Sequence, residues 1–499
     1  MSTQTADPIA RYVTGHDFRM LIGGDLVAAA DGATTETIDP STGQVLTSVP
    51  CAGSDDVQRA FEAADRAQPG WEALGVDGRA EVFARYSEAI AGAKERLAML
   101  DAVDGGMPYR AMLVDVEISR ANLRDWPGLV RWHGGRTIPA SPGNLHYTTS
   151  RPYGVVGKIL AYNHPLMFAV TRILGALIAG NAVIIKPAPQ VPLSALVLGE
   201  LAREIFPPGV FNVLTGGAEV GDAIVTHPGI RRIGFTGSVA TGLKIQQRAA
   251  TTAVKHLSLE LGGKNPMIVF PDADLDRAID GAVNGMNFGV CAGQSCGSNS
   301  RTYVHRDIYD DFVGRVAERL EAMRVAPAYG DDVDMGPVVS SAHLEHVMGL
   351  VESGREQGAR LVTGGGRANG STPPDGYYVE PTLFADVDMG MDIGSKEIFG
   401  PVMSMAAWNE IDEVVAAAND TDLGLTAAVW TNDLHCAHRV ADRLEAGYVW
   451  INDSARHYWG TPFGGVKNSG LGREESTEEY DSYMVQKTVH TVMREPRLS

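Results

Sequence analysis

The chain has 499 residues, 44% hydrophobic and 21% charged, an ordinary composition for a soluble globular protein and longer than one core usually serves, so two or three domains are expected. Its 42 Lys and Arg stand against 61 Asp and Glu, a formal net charge of −19, with no basic cluster along the chain. Nucleic acid is therefore not an expected partner, since binding it rests on counterion release at a cationic surface.

The N-terminus, MSTQTADPIARYVTGHD, lacks the apolar core of a signal peptide, and residues 1–17 read as mobile. The most apolar stretch, Leu166 to Ile178, is interrupted by Thr171 and Arg172 and is too short to span a bilayer, so no membrane partner is expected. The unequal spacing of Cys51, Cys291, Cys296 and Cys436 gives no disulfide framework, and a reduced, cytoplasmic setting is the expectation. Residues 20–50 alternate short apolar runs with turn signals and predict small strands or hairpins. From Asp55 to about Leu129 the apolar period becomes that of amphipathic helices. Residues 145–161 predict strands around a turn near Arg151-Pro152, followed by a buried helix from Pro165 to Ala179. Strand and helix then alternate through AVIIKP (182–187), GVFNVLTGG (209–217), IRRIGFTGS (230–238) and VKHLSLELGG (254–263). This βαβ spacing predicts an α/β fold, with a parallel sheet covered by helices on both faces. A second α/β pattern starts at PMIVF (266–270) and ends with TAAVW (426–430) and YVWIN (448–452), before a long loop and the strand-like YMVQKTVHTVM.

Five stretches carry candidate chemistry. GVCAGQSCGSNSR (289–301), rich in Gly, Ser and Asn, reads as a loop presenting the thiols of Cys291 and Cys296. GFTGSVATG (234–242) lies between a strand and a helix, where Gly237, Ser238 and Gly242 suit a phosphate turn; a plain βα turn fits the same residues, and no GxGxxG occurs. Lys186 ends a strand, where it could reach ribose hydroxyls or simply be solvated. Glu260 ends an apolar strand before two glycines, and burial there would raise its pKa towards the range of a useful base. GQSCG (293–297) also fits the G-x-S-x-G elbow with Ser295 as nucleophile, but no strand precedes it. HLEH (343–346) reads as a solvated helix face rather than a metal site, for want of a third ligand.

Together these strings resemble the NAD(P)-dependent aldehyde dehydrogenase superfamily from about residue 20 to 490. The resemblance rests on AYNHP (161–165), KPAPQVPLSA (186–195), GFTGS (234–238), LELGGKNP (259–266), GQSCGSNSR (293–301), EIFGPV (397–402) and PFGGVKNSGLGRE (462–474), in the family's order. It implies an aldehyde dehydrogenase-like fold: a Rossmann-type cofactor domain (1–131 and 154–262), an α/β catalytic domain (263–474) and a β oligomerisation arm (132–153 and 475–499). It implies Cys296 as nucleophile, Asn163 as oxyanion donor and Glu260 as the base that hydrolyses a thioester. Lys186, Ala188, Gly221, Gly237, Ser238, Gly242, Glu397 and Phe399 would hold the cofactor. His164, Phe168, Thr171, Ser295, His457 and Phe463 would line the aldehyde's path. The cofactor implied is NAD, with NADP as the alternative, because Pro189 stands where the family's NAD-type members carry an acid. Tyr162 and His164 replace the family's frequent Trp and Phe beside the oxyanion Asn. No family role attaches to Cys291, which is either a bystander or, under oxidation, a disulfide partner of Cys296. A small-molecule aldehyde is the expected substrate and a homodimer or homotetramer the expected assembly. A serine hydrolase on Ser295 and a catalytically silent nucleotide-binding homologue are the rival readings.

Overall fold

The apolar runs that end in Gly or Pro become parallel strands, buried along their length except at the start of His256–Glu260. The computed structural model describes residues 8–370 and 372–493. Its larger sheet places Phe211–Val213, Ala182–Lys186, Val155–Ile159, Arg232–Thr236 and His256–Glu260 side by side, all parallel. Antiparallel strands close its edges, Met20–Ile22 with Asp25–Val27 on one side and Gly470–Leu471 on the other. The parallel run starts in the middle, at Val155–Ile159, winds outward through Ala182–Lys186, then returns to the other side at Arg232–Thr236. That reversal creates a crevice outside the carboxyl ends of the two central strands, the usual ligand position in open α/β sheets.

The second sheet orders Arg360–Thr363, Thr382–Ala385, Val402–Trp408, Arg301–His305, Pro266–Val269, Thr426–Trp430 and Tyr448–Ile451. All neighbours are parallel except the Arg360–Thr363 edge. Each sheet has its own apolar core, the first including Trp71, Phe83 and Ile184 and the second Met267, Phe312 and Phe384. A third, two-stranded sheet pairs Asn144–Pro152 with Met484–Val492 in antiparallel register.

Three local expectations change. Residues 1–7 lie outside the described residues, but Pro8–Tyr12 is helical rather than mobile, and Val13 and Phe18 bury at 1% and 2% exposure, anchoring the segment. The turn expected at Arg151-Pro152 falls at Tyr153-Gly154, because Gly154 (φ 108°) accepts the left-handed turn, while Pro152 ends a strand where a missing N–H is tolerated. The stretch 289–301 is not all loop: Phe288–Cys291 forms a helical turn closed by Ala292 at φ 50°.

Candidate active site

The crevice at the sheet's switch point is a cleft of about 780 Å³. Asn163, Lys186, Ala188, Gly221, Gly237, Ser238, Glu260, Cys296, Glu397 and Phe399 all line it. Gly242 does not; it sits under the turn, where a Cβ would meet the Leu261 side chain at 2.8 Å.

At the outer end, Lys186 finishes its strand with its ammonium buried. Its one hydrogen bond among the described residues goes to the carbonyl of Pro187 at 3.1 Å, and burial pushes it down to about 8. The exposed Ser238 caps the helix Val239–Ala249, its Oγ accepting the Thr241 N–H at 3.3 Å. The Gly237 N–H donates to the Glu260 carbonyl at 3.0 Å, tying this turn to the next strand.

The inner end is more enclosed. Asn265 Nδ2 donates to the carbonyls of Cys296 at 2.7 Å and Ser298 at 2.9 Å, while its Oδ1 accepts the Thr426 N–H at 3.0 Å, so the loop that carries Cys296 is pinned to the second sheet. Burial, then the Glu260 and Glu397 carboxylates, push the Cys296 thiol up to about 12. Glu260 is 4% exposed, and neither carboxylate oxygen has a hydrogen-bond partner among the described residues. Burial first, and Glu474 next, raise it well above the usual carboxylate range, while Arg172 opposes them. Glu397 Oε1 accepts the Gly263 N–H at 2.8 Å, and burial pushes that carboxyl up to about 7. Phe399 sits at φ 54°, with the Tyr162 ring 5.7 Å away.

His343 corrects the solvated-face reading of HLEH. It lines the cleft, and its Nε2–H donates to the Phe399 carbonyl at 2.7 Å. Among the described residues no cluster of three or more His, Cys, Asp or Glu could hold a metal ion. The serine elbow is not built: a helical turn, not a strand, precedes Ser295, and no imidazole is hydrogen-bonded to it among the described residues.

The six residues expected along the aldehyde's path do not line this cleft. His164 Nδ1–H donates to Asp115 at 2.7 Å, with its ring 5.5 Å from Phe168. Thr171 Oγ donates to the Met167 carbonyl within its own helix at 2.8 Å. His457 meets Glu475 at 2.9 Å and packs 4.4 Å from Phe463, which is 2% exposed. Arg172 joins the two groups, stacked 4.9 Å over Phe168 and bridging Glu474 at 2.5 Å and Glu475 at 3.4 Å. Lys158 reaches Glu474 at 3.3 Å and the Tyr483 hydroxyl at 2.9 Å. This buried charge network behind Glu260 was missed from sequence. The available signal was Arg172 inside an otherwise apolar helix, since a charge there needs a buried partner.

Fold and cleft together define a nucleotide-binding α/β enzyme with a thiol at the inner end of its ligand crevice. Residues 27–489 match the aldehyde dehydrogenase family. A curated relative, the aldehyde dehydrogenase tropH from Talaromyces stipitatus, is 42% identical over 462 residues, covering 91% of this chain and 89% of that protein. An NAD+ complex of aldehyde dehydrogenase from Bacillus cereus superposes with a TM-score of 0.94 at 38% identity, covering 98% of this chain and 99% of that one. Betaine aldehyde dehydrogenase from Staphylococcus aureus, also in complex with NAD+, gives 0.93 at 32% identity, with 98% of each chain covered. The chain belongs to the aldehyde dehydrogenase family.

Proposed function

We propose that this enzyme oxidises an aldehyde to the carboxylic acid through a Cys296 thiohemiacetal and thioester, with NAD+ as cofactor and NADP+ as the alternative. The observation that carries the proposal is the convergence of the Cys296 thiol, Asn163 and the unpartnered Glu260 carboxylate at the inner end of one cleft. The residues present fit a dinucleotide. Lys186 is a buried ammonium with no carboxylate on it, suited to ribose hydroxyls, and a Cβ on Gly221 would fill space beside Ile159 and Lys186. Ala188, Gly237, Ser238 and Gly242 would shape the phosphate and adenosine end, with Glu397 and Phe399 against the nicotinamide ribose and ring. The NAD+ complexes of the similar Bacillus and Staphylococcus enzymes support NAD.

The Cys296 sulfur attacks the aldehyde carbon. With the thiol held up near 12, the proton needs a nearby acceptor, and Glu260 is the carboxylate with free oxygens. Asn163 Nδ2–H and the Cys296 backbone N–H would donate to the oxyanion, each such donor contributing about 3–4 kcal/mol when preorganised. The nicotinamide, when bound, would supply the hydride acceptor that takes the Cys296 adduct to the thioester. Once the thiol's proton has passed from Glu260 to solvent, the carboxylate takes a proton from water as it attacks the thioester carbon; the C–S bond breaks, the acid leaves, and Glu260 returns its proton to the Cys296 thiolate, restoring the thiol.

We keep His164, Phe168, Thr171, Ser295, His457 and Phe463 as the aldehyde side of the site, outside the cleft itself, a reading supported by the packing of His164 on Phe168 and of His457 on Phe463. We divide the chain as cofactor domain (1–131, 154–262), catalytic domain (263–474) and arm (132–153, 475–499), a division supported by the separate sheets. The strand Gly470–Leu471 nevertheless pairs with the cofactor sheet. A homodimer or homotetramer through the arm is supported by exposed apolar side chains on it, including Trp132 at 95% exposure and Val492 at 66%. No described helix is long and apolar enough to cross a membrane, and the four cysteines are free, which supports a reducing cytoplasmic setting.

The test is reduction of NAD+ and NADP+, followed by nicotinamide absorbance, against a panel of aldehydes. Reduction with one cofactor–aldehyde pair and stoichiometric acid release is expected. No reduction with any pair would sink the proposal.

A further inference from the structure

The segment Glu397–Gly400 is held at three successive points. Glu397 Oε1 accepts the Gly263 N–H at 2.8 Å. Gly400 lies against the helix Ser341–Glu356, where a Cβ on it would meet Val347 Cγ2 at 2.6 Å, so only a bare Cα allows the approach. Phe399, between them, takes φ 54°, a left-handed backbone that a bulky residue keeps only where its surroundings enforce it. The enforcing contact is His343, whose Nε2–H donates to the Phe399 carbonyl at 2.7 Å. His343 and Val347 are four apart on one helix, so a single helical face meets residues 399 and 400 together.

That face is anchored in turn to the loop that carries Cys296. Ser340 caps the helix, its Oγ accepting the His343 N–H at 3.2 Å, which fixes the backbone from which the imidazole projects. One residue earlier, the Val339 N–H donates to Gln294 Oε1 at 3.0 Å. Gln294 is 1% exposed, and its Nε2 donates to the Cys291 carbonyl at 2.8 Å, so both ends of its amide are engaged. On its other side the Phe399 ring meets that of Tyr162, the residue before Asn163, at 5.7 Å and 85°.

We propose that Gln294 and His343 form a brace that sets the segment Glu397–Phe399 against the Cys296 loop, which makes His343 a positioning residue for hydride transfer. The proposal rests on the reading of Cys296 as nucleophile and of Glu397 and Phe399 as the nicotinamide side. Hydride leaves a carbon held on one loop for a ring held by the other segment, so the two must keep one separation. A displacement of about 1 Å can cost about 100-fold in rate. Burial lowers the His343 imidazole below its usual pKa, the Phe399 carbonyl opposing that and His346 adding to it. The neutral ring therefore carries its one proton on Nε2, where the carbonyl takes it, and adds no positive charge beside Glu397. A rigid imidazole on a capped helix start reaches Phe399 with few torsions left to vary, as a strut must.

The experiment compares His343→Ala, His343→Gln and His343→Asn, with Gln294→Ala, the Gln294→Ala/His343→Ala double variant and Glu397→Gln in parallel. Amide hydrogen exchange of residues 397–402 is followed in the nucleotide-free protein. Kinetics use NAD+ and the fastest aldehyde of the panel, with and without deuterium on its carbonyl carbon. His343→Ala is expected to speed exchange of 397–402, to lower kcat about 30-fold and to raise the isotope effect on kcat, because hydride transfer becomes the slow step. Cofactor KM should stay within about threefold, since the Lys186 end is untouched. His343→Gln, whose amide N–H reaches where Nε2 does, should restore slow exchange and most of kcat, and the shorter His343→Asn should behave as Ala. The double variant should lose less than the product of the two single losses, because members of one brace are not additive, and losses that multiply would overturn it. If His343→Ala keeps the parental kcat and isotope effect while Glu397→Gln slows hydride transfer, the brace is wrong and the nicotinamide reading stands, even where exchange has quickened. If Glu397→Gln keeps parental turnover and cofactor KM, the nicotinamide reading falls and the brace with it. Should His343→Ala fail to fold, Gln against Asn decides: slow exchange and recovered kcat in Gln alone support the brace, and equal behaviour of the two overturns it.

Discussion

The two ends of the cleft are built on opposite principles. The outer end uses backbone and short-range geometry: a strand end at Lys186, an N-cap at Ser238 and a bare Cα at Gly221. The inner end uses buried charge: Glu260 without a partner, Glu397 held up to about 7, and behind them Arg172, Glu474, Glu475, Glu479 and Lys158 in one network. At the outer end a ligand can be held by backbone dipoles and the Lys186 ammonium, with no proton passed on. Proton transfer needs groups whose charged form is disfavoured enough to give it up. The difference teaches that binding and chemistry respond to separate perturbations in this enzyme.

The largest effect that would test this separation is at Cys296. Cys296→Ala should abolish turnover, a loss of about 10⁴-fold or more, while cofactor titration by intrinsic fluorescence stays within about threefold of the parent. An active Cys296→Ala protein would remove the thiol from the chemistry altogether and reopen Ser295. Next comes Glu260→Gln, nearly isosteric and unable to take a proton. It should slow steady-state turnover about 10²–10⁴-fold and remove the stopped-flow burst of reduced cofactor, because in the proposed mechanism Glu260 takes the thiol's proton before hydride transfer. A burst that survives would show that the thiol's proton goes elsewhere and that Glu260 serves hydrolysis alone.

How much of each end could be read in the chain follows from the same contrast. The outer end was legible because it is local: a strand, a glycine turn and a helix start occur within nine residues at 234–242, and Lys186 closes an apolar run. The parallel sheet was legible for the same reason, from strands spaced by helices. Cys296, Glu260 and Asn163 could be assigned only through the order of strings along the whole chain. The network behind them was not legible, because Glu474 lies 316 positions from Lys158 and each residue alone is an ordinary charged one. His343 was misread as solvated because its partner, the Phe399 carbonyl, is 56 positions away and owes its direction to a left-handed backbone at Phe399.

A middle-sized effect sets the two ends against each other by pH. Lys186 is lowered to about 8, so its ammonium is present below that pH and lost above it. Cofactor KM should therefore rise as pH passes about 8, while kcat rises with pH, because Glu260, the proposed base, is raised and is ionised only above its shifted pKa. Lys186→Met should raise the cofactor KM about 10–100-fold at neutral pH, as expected for a lost charge-assisted hydrogen bond, and flatten its alkaline rise. A kcat that follows the same alkaline fall as binding would contradict the separation.

The smallest effect is at Ser238, where the comparison is sharpest because a hydroxyl near a phosphate turn invites the wrong assignment. Its Oγ already accepts the Thr241 N–H at 3.3 Å and donates to Thr241 Oγ1 at 3.0 Å, so it serves its own helix. The anion-binding capacity of such a turn lies in the backbone N–H groups and the helix dipole, which Ala preserves. Ser238→Ala should then cost about 1 kcal/mol of stability from the lost cap, read by chemical denaturation, and change cofactor KM less than about threefold. A tenfold rise in KM with unchanged stability would show that the hydroxyl binds the cofactor directly, and the outer end would no longer be a site made of backbone.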